Sequence, residues 1–254
     1  MPRTVLVTLH YDGGRFAGWQ RQTEGRTVQA EVERVLERLA GEVVRVHAAG
    51  RTDAGVHAIG MGVSCVVPER WTGAALRRAL NALLPPDCWA AECQEMRGGF
   101  HARKCASGRR YRYVIGTDDG SRSPFRRRFE WALGQPLDGA ALAGAAGVLP
   151  GEHDFSAFSV RSSPRAHKRC RIAAAGWTER SDRRGYRFEI AADRFLHHMV
   201  RMLVGTMTDI ALGRRAPEDM SRLIAREPGV RTSPPAPPEG LYFVAAEYSA
   251  EWYG

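Results

Sequence analysis

The sequence predicts an α+β protein of two related halves, and three observations lead to it. Short runs alternate apolar and polar residues, the period of a half-buried strand. Between them lie segments whose apolar residues recur at helical spacing behind a threonine or aspartate cap. The order of the two kinds of segment up to Met96 is β-α-β-β-α-β, the split pattern of ferredoxin-like and RNA-recognition type domains, and from Cys105 a comparable order recurs with insertions. A largely antiparallel, mixed sheet with helices on one face follows, divided into residues 1–104 and 105–254 of a 254-residue chain. That length suffices for two domains of ordinary size.

In "TVLVTLHY", Val5, Val7 and Leu9 alternate with Thr4, Thr8 and His10, which makes a strand with one buried face. Thr27 then caps a helix whose Val28, Val32, Val35, Leu36 and Leu39 form one stripe that packs on the sheet. "EVVRVHAA" and "HAIGMGVSCVV" read as two strands joined through "GRTDAGV", which puts Asp53 at a strand connection. Leu76, Leu80, Leu83 and Leu84 mark a second helix stopped by Pro85 and Pro86, and the strand "CWAAECQEM" ends the first half.

The second half reads as strands at "RRYRYVIG" and "RFEWAL", an alanine-rich helix after Asp138, and strands at "CRIAAAGWTE" and "GYRFEIAA". A long helix from Phe195 to Leu212 and a shorter one after Pro217 follow, then the proline-rich "SPPAPPEG" and a closing strand "LYFVAAEY". There is no sequence repeat and no low-complexity linker.

The formal charge of +9 attracts polyanions, and its distribution narrows the partner. Ten Lys and Arg stand against Asp118 and Asp119 between Arg97 and Arg128, and nine against Glu179 and Asp182 between Arg161 and Arg187. All basic residues but Lys104 and Lys168 are arginines, whose planar fork suits phosphate and stacks on bases. The five cysteines are odd in number and lack CxxC spacing, which argues against a disulfide framework or a zinc site. His197 and His198, taken as neighbours on a helix, point about 100° apart and make a poor metal site; no metal is expected. No apolar run reaches the roughly 18 residues that span a membrane, and the start is too alternating for a signal peptide. A cytoplasmic protein is expected.

Several residues carry two readings at this point. Asp53, followed by Ala-Gly, is either a turn residue or a carboxylate held for chemistry. On "GRRYRYVIG", Tyr111, Tyr113 and Ile115 share one strand face and Arg110 and Arg112 the other, which suits an RNA surface and equally a half-buried strand with a charged outer side. Arg201 projects from the polar side of the long helix, as a solvated charge also would. "YDGGRFAGWQ" has no nucleotide-loop spacing and reads as a flexible loop with aromatics; His101 and Arg103 in "FHARKCASGRRYRY" read as structural. No hydrolase, zincin or kinase pattern occurs.

Taken together, "YDGGRFAGWQ", "TVQAEVE", "GRTDAGVHA", "RRALNALLP", "FHARKCASGRRYRY", "HDFSAF", "FLHHMVRMLVG" and "PPEGLYFV" resemble the tRNA pseudouridine synthase A family, in order and over almost the whole chain. The resemblance implies the pseudouridine synthase fold and a cofactor-free isomerase, acting on uridines on the 3′ side of the tRNA anticodon stem-loop. It also implies a homodimer with tRNA across a basic cleft between the halves. Carried over by motif, the catalytic aspartate falls on Asp53 and its partner arginine on Arg51. The active-site tyrosine falls on Tyr111, the "FLHHMVR" arginine on Arg201 and the leucine after "PPEG" on Leu241. Arg109 and Arg110, beside Tyr111 on the basic strand, are expected as further substrate contacts. One departure is Met202, where asparagine is expected. A synthase for another RNA, and a non-enzymatic RNA-binding protein on the same scaffold, are the alternatives.

Overall fold

The alternation in "TVLVTLHY" becomes strand β1 (Arg3–Tyr11), with Val5, Val7 and Leu9 fully buried. A computed structural model describes residues 1–159 and 168–253 of the chain; Arg161 and Arg165 of the second basic tract lie outside the described residues. Helix α1 (Val28–Ala40) starts where the Thr27 hydroxyl accepts from the Ala30 N–H, and ends at Gly41 with φ of 82°. Strands β2 (His47–Ala48) and β3 (His57–Val67) follow, then α2 (Gly73–Leu83) behind the Thr72 cap, and β4 (Cys88–Met96). Next come β5 (Ala106–Gly116), β6 (Trp131–Ala132), α3 (Gly139–Gly147) behind Asp138, β7 (Gly151–Asp154), β8 (Arg169–Glu179) and β9 (Gly185–Ala192). Helices α4 (Met199–Ala211) and α5 (Asp219–Ile224) precede β10 (Leu241–Tyr248). The class is α+β, and the pairings are mostly antiparallel, with β10 on β3 and β6 on β5 parallel.

The chain divides into two compact units, Met1–Arg109 with Tyr242–Gly254, and Arg110–Leu241. In the first, the strand order is β4-β1-β3-β10, with β2 also on β3. Strand β10 runs parallel to β3, Tyr242 opposite His57 and Phe243 opposite Ala58. Gly60 permits this approach, because a Cβ there would lie 1.9 Å from the Val244 carbonyl oxygen. The chain end covers an apolar cluster of Leu6, Met96, Phe100 and Ala102 with Tyr248, Trp252 and Tyr253, and the Arg97 N–H donates to the Trp252 carbonyl at 3.0 Å. The closing strand, counted by sequence order with the second half, therefore packs with the first unit. A parallel pairing of two distant segments leaves no local pattern from which to read it.

In the second unit the order is β5-β9-β8-β7, with β6 on β5. Helix α3 packs on β8 and α4, and Met199, Val200, Leu203, Met207 and Ile210 of α4 are buried, as is Leu196 just before it.

Three elements differ from expectation. "EVVRVHAA" yields only the two residues of β2, although Val44 and Val46 are buried, and "RFEWAL" yields only those of β6. Apolar alternation marks burial, not a ladder partner. Helix α4 begins at Met199 instead of Phe195, because His198 stands left-handed at φ 62°. His197 and His198 thus lie before the helix, not on it. Strand β7 carries too few apolar residues to have been read.

Candidate active site

Asp53 is half-buried in the connection between β2 and β3. The Val56 N–H donates to the Asp53 carbonyl at 3.2 Å, and Gly55 has φ of 80°, so the residue does sit in a turn. The turn is held from outside by Tyr11–Trp19. The Trp19 N–H donates to the Thr52 carbonyl at 3.0 Å, the Gly55 N–H to the Phe16 carbonyl at 3.4 Å, and the Tyr11 hydroxyl and the Thr52 Oγ1 are 2.8 Å apart. Gly13 donates its N–H to Nδ1 of the buried His57 at 3.0 Å. Main chain on both sides of Asp53 is therefore tied down, and that fixes the direction in which its carboxylate leaves the backbone.

Two glycines make this contact possible. A Cβ on Gly13 would lie 2.1 Å from the Val56 carbonyl oxygen, and Gly18, at φ of 102°, would place one 2.8 Å from the Thr52 carbonyl oxygen. The expectation of a flexible loop at Tyr11–Gln20 is corrected here: Phe16 and Trp19 are buried and the main chain is bonded to its neighbour. Arg26 secures its far side, with a two-point contact to Asp87 at 2.6 and 2.9 Å, a bond to Glu31 at 2.8 Å, and the guanidinium over the Phe16 ring at 4.3 Å.

Arg51 is exposed and forms no salt bridge among the described residues. Arg109 is half-buried, and its guanidinium donates to the carbonyls of Ala49 (3.3 Å), Ala106 (2.9 Å) and Arg103 (2.7 Å). This geometry braces the residue that enters the Asp53 connection.

In the second unit, β5 buries Tyr111, Tyr113 and Ile115, while Arg110 is exposed and Arg112 pairs with Glu189 at 2.9 Å. The Tyr111 ring meets Phe195 edge-on, centroids 4.9 Å apart. Arg201 is no solvated charge. Half-buried on α4, it donates from Nε to the Ala236 carbonyl at 2.7 Å, and its own carbonyl accepts from the Ala236 N–H at 2.9 Å. Tyr113, fully buried, donates its hydroxyl to the Pro237 carbonyl at 2.7 Å. The proline-rich segment is thus clamped from both sides just before Leu241, which is itself buried. Met202, where the motif departs, donates its N–H to the His198 carbonyl at 3.0 Å, and its own carbonyl accepts from the Thr206 hydroxyl at 2.8 Å.

Residues 8–103 and 145–249 match the family model described as tRNA pseudouridine synthase. The chain belongs to this family. Among similar proteins named tRNA pseudouridine synthase A, that of Moorella thermoacetica is 42% identical over 253 residues, covering 96% of this chain and 99% of the relative. That of Solidesulfovibrio magneticus is 41% identical, covering 97% and 91%, and that of Myxococcus xanthus 39%, covering 95% and 90%. The protein is accordingly an isomerase of the pseudouridine synthase family, which converts uridine to pseudouridine in tRNA.

For a pseudouridine synthase, sequence reading located the Asp53 motif and the strand face of Tyr113, but missed the Tyr113 hydroxyl bond to Pro237 and the roles of Gly13, Gly18 and Arg26, which hold the Asp53 turn in place. For Gly13, Gly18 and Arg26 a glycine-containing segment directly before a capped helix was the only local signal. The five cysteines are free thiols, and burial pushes Cys65, Cys88 and Cys93 up to about 12, so they stay protonated. Among the described residues no helix is long and apolar enough to cross a membrane.

Proposed function

We propose that this chain modifies uridines on the 3′ side of the tRNA anticodon stem-loop, with Asp53 as the catalytic carboxylate, as a cytoplasmic homodimer. The observation that carries the assignment of Asp53 is the mounting of its turn: hydrogen bonds from Tyr11–Trp19 hold Thr52 and Gly55 on either side of it. A carboxylate fixed in this way enters the reaction without first being ordered, which lowers the barrier.

The reaction breaks the bond from uracil N1 to C1′, turns the base while it remains bound, and joins C5 to C1′. The C5 proton leaves to solvent and N1 gains one, so no electrons are transferred. Asp53 begins this by attacking C1′, by taking the C2′ proton to give a glycal, or by adding to C6; each route needs one unprotonated carboxylate and returns it at the end. The target must first leave its stack, at a cost of a few kcal/mol, which arginine contacts to phosphate offset. In this reading Arg51 and Arg201 supply positive charge toward the carboxylate and RNA, and Arg110 meets backbone phosphate. Tyr111 stacks on the everted uracil, and Leu241 walls the pocket against water. Arg109 contributes by bracing the Asp53 connection.

Tritium release from C5-labelled uridine in unmodified tRNA tests the proposal directly, with product mapping to locate the modified sites. Release from the 3′ side of the anticodon stem-loop is expected. Release from other positions overturns the site assignment, and no release overturns the activity, leaving RNA binding alone.

A further inference from the structure

Beside the Asp53 connection the first unit holds a cleft of about 620 Å³, within the size range of pockets that bind small ligands. Two features of its lining, Arg51 apart, are used by nothing above. The imidazoles of His47 and His101 are stacked, centroids 4.3 Å apart and planes 18° apart, with His47 exposed. Arg45, Arg51, Arg103 and Lys104 also line it, and none of the four has a salt bridge among the described residues.

The cleft also contains one carboxylate, that of the buried Glu33, which would repel an anion if left uncompensated. It is compensated. Its Oε1 accepts from Gln29 Nε2 at 3.1 Å and from the Val46 N–H at 3.3 Å, and its Oε2 lies 2.8 Å from Arg21 Nη2. His101 is held in one form as well: its Nδ1 accepts from the N–H groups of Arg103 (3.2 Å) and Lys104 (3.4 Å), so the proton of the neutral ring resides on Nε2. Burial, with His47 and Lys104 nearby, holds this imidazole below its usual range and keeps it neutral. A stacked aromatic platform beside several cations is the arrangement that binds single-stranded RNA, the base stacking and the backbone meeting positive charge.

We propose that this cleft holds a second, unstacked nucleotide of the same RNA strand, its base on His47 and its phosphodiester among Arg45, Arg103 and Lys104. The inference rests on the tRNA-modifying reading and adds to it a positioning site away from the carboxylate. The site fixes the strand next to the target, so that everting one base does not let the neighbouring backbone drift.

Steady-state tritium release from unmodified tRNA, measured across salt concentrations, tests it with His47→Ala, His47→Phe and the double variant Arg103→Gln/Lys104→Gln. His47→Ala is expected to raise KM about tenfold with kcat within about twofold of the parent, since removing one base stack corresponds to roughly that factor. His47→Phe keeps an aromatic face and is expected to restore KM. The double variant is expected to flatten the dependence of log KM on log salt by about 0.7 for each phosphate that is no longer neutralised. Equal impairment of His47→Ala and His47→Phe overturns stacking. Parental KM and parental salt dependence in all variants overturn the site; an inactive Asp53→Asn alongside them would show that the catalytic assignment stands independently.

Discussion

At the scale of single residues, Arg26 shows how charge supports the site without entering it. Its guanidinium bonds Asp87 at two points and Glu31 at one, and covers the Phe16 ring of the segment that mounts the Asp53 turn. The hydrogen bond from Arg26 holds both the Asp87 and the Glu31 carboxyl below the usual carboxylate range. Because these values are depressed in the folded state, the stabilisation is fully present above the ordinary carboxylate range and is lost as pH falls through the folded values. Arg26→Ala is expected to lower unfolding stability by about 2 kcal/mol near neutral pH, the scale of hydrogen bonds to charged groups, and to flatten the acid limb of stability against pH. Urea denaturation at several pH values measures both. An unchanged acid limb would contradict the pairing.

The elements most visible in the sequence are those whose signal is local. Strand β1 declared itself by alternation, α1 by the Thr27 cap and one apolar stripe, α2 by its leucine stripe and proline stop, and α3 by an alanine run after Asp138. The start of α4 was misplaced because the left-handed turn at His198 is a backbone state that histidine does not announce. The Tyr11–Trp19 segment was misread for a related reason. Glycine signals conformational freedom, and here its lack of a Cβ serves close packing against the Asp53 turn. Gly13→Ala tests this reading. With a Cβ 2.1 Å from a main-chain oxygen, the alanine forces the two segments apart, at a cost of about 1–3 kcal/mol in stability. A fall in kcat larger than the change in KM is expected, because the carboxylate is displaced while the RNA-binding surface persists. An alanine variant with parental stability and kcat would show that the mounting is dispensable.

For the whole molecule, composition and charge indicated a polyanionic partner, and the α+β class was legible from element order. The boundary between the two units was less so, since β10 closes the first unit from the far end of the chain through a long-range parallel pairing. The candidate site divides the same way. Asp53 stood out as a residue with two compatible meanings, a turn and a carboxylate, and the structure shows the turn. The clamp of Arg201 on Ala236 and of Tyr113 on Pro237 depends on contacts between segments far apart in sequence, to which local pattern is blind. The most direct measurement on the whole assembly compares Asp53→Asn with the parent for tritium release and tRNA binding, at one salt concentration. Release below detection with binding within a few fold of the parent is expected. Turnover retained by the asparagine variant would contradict the catalytic role of Asp53.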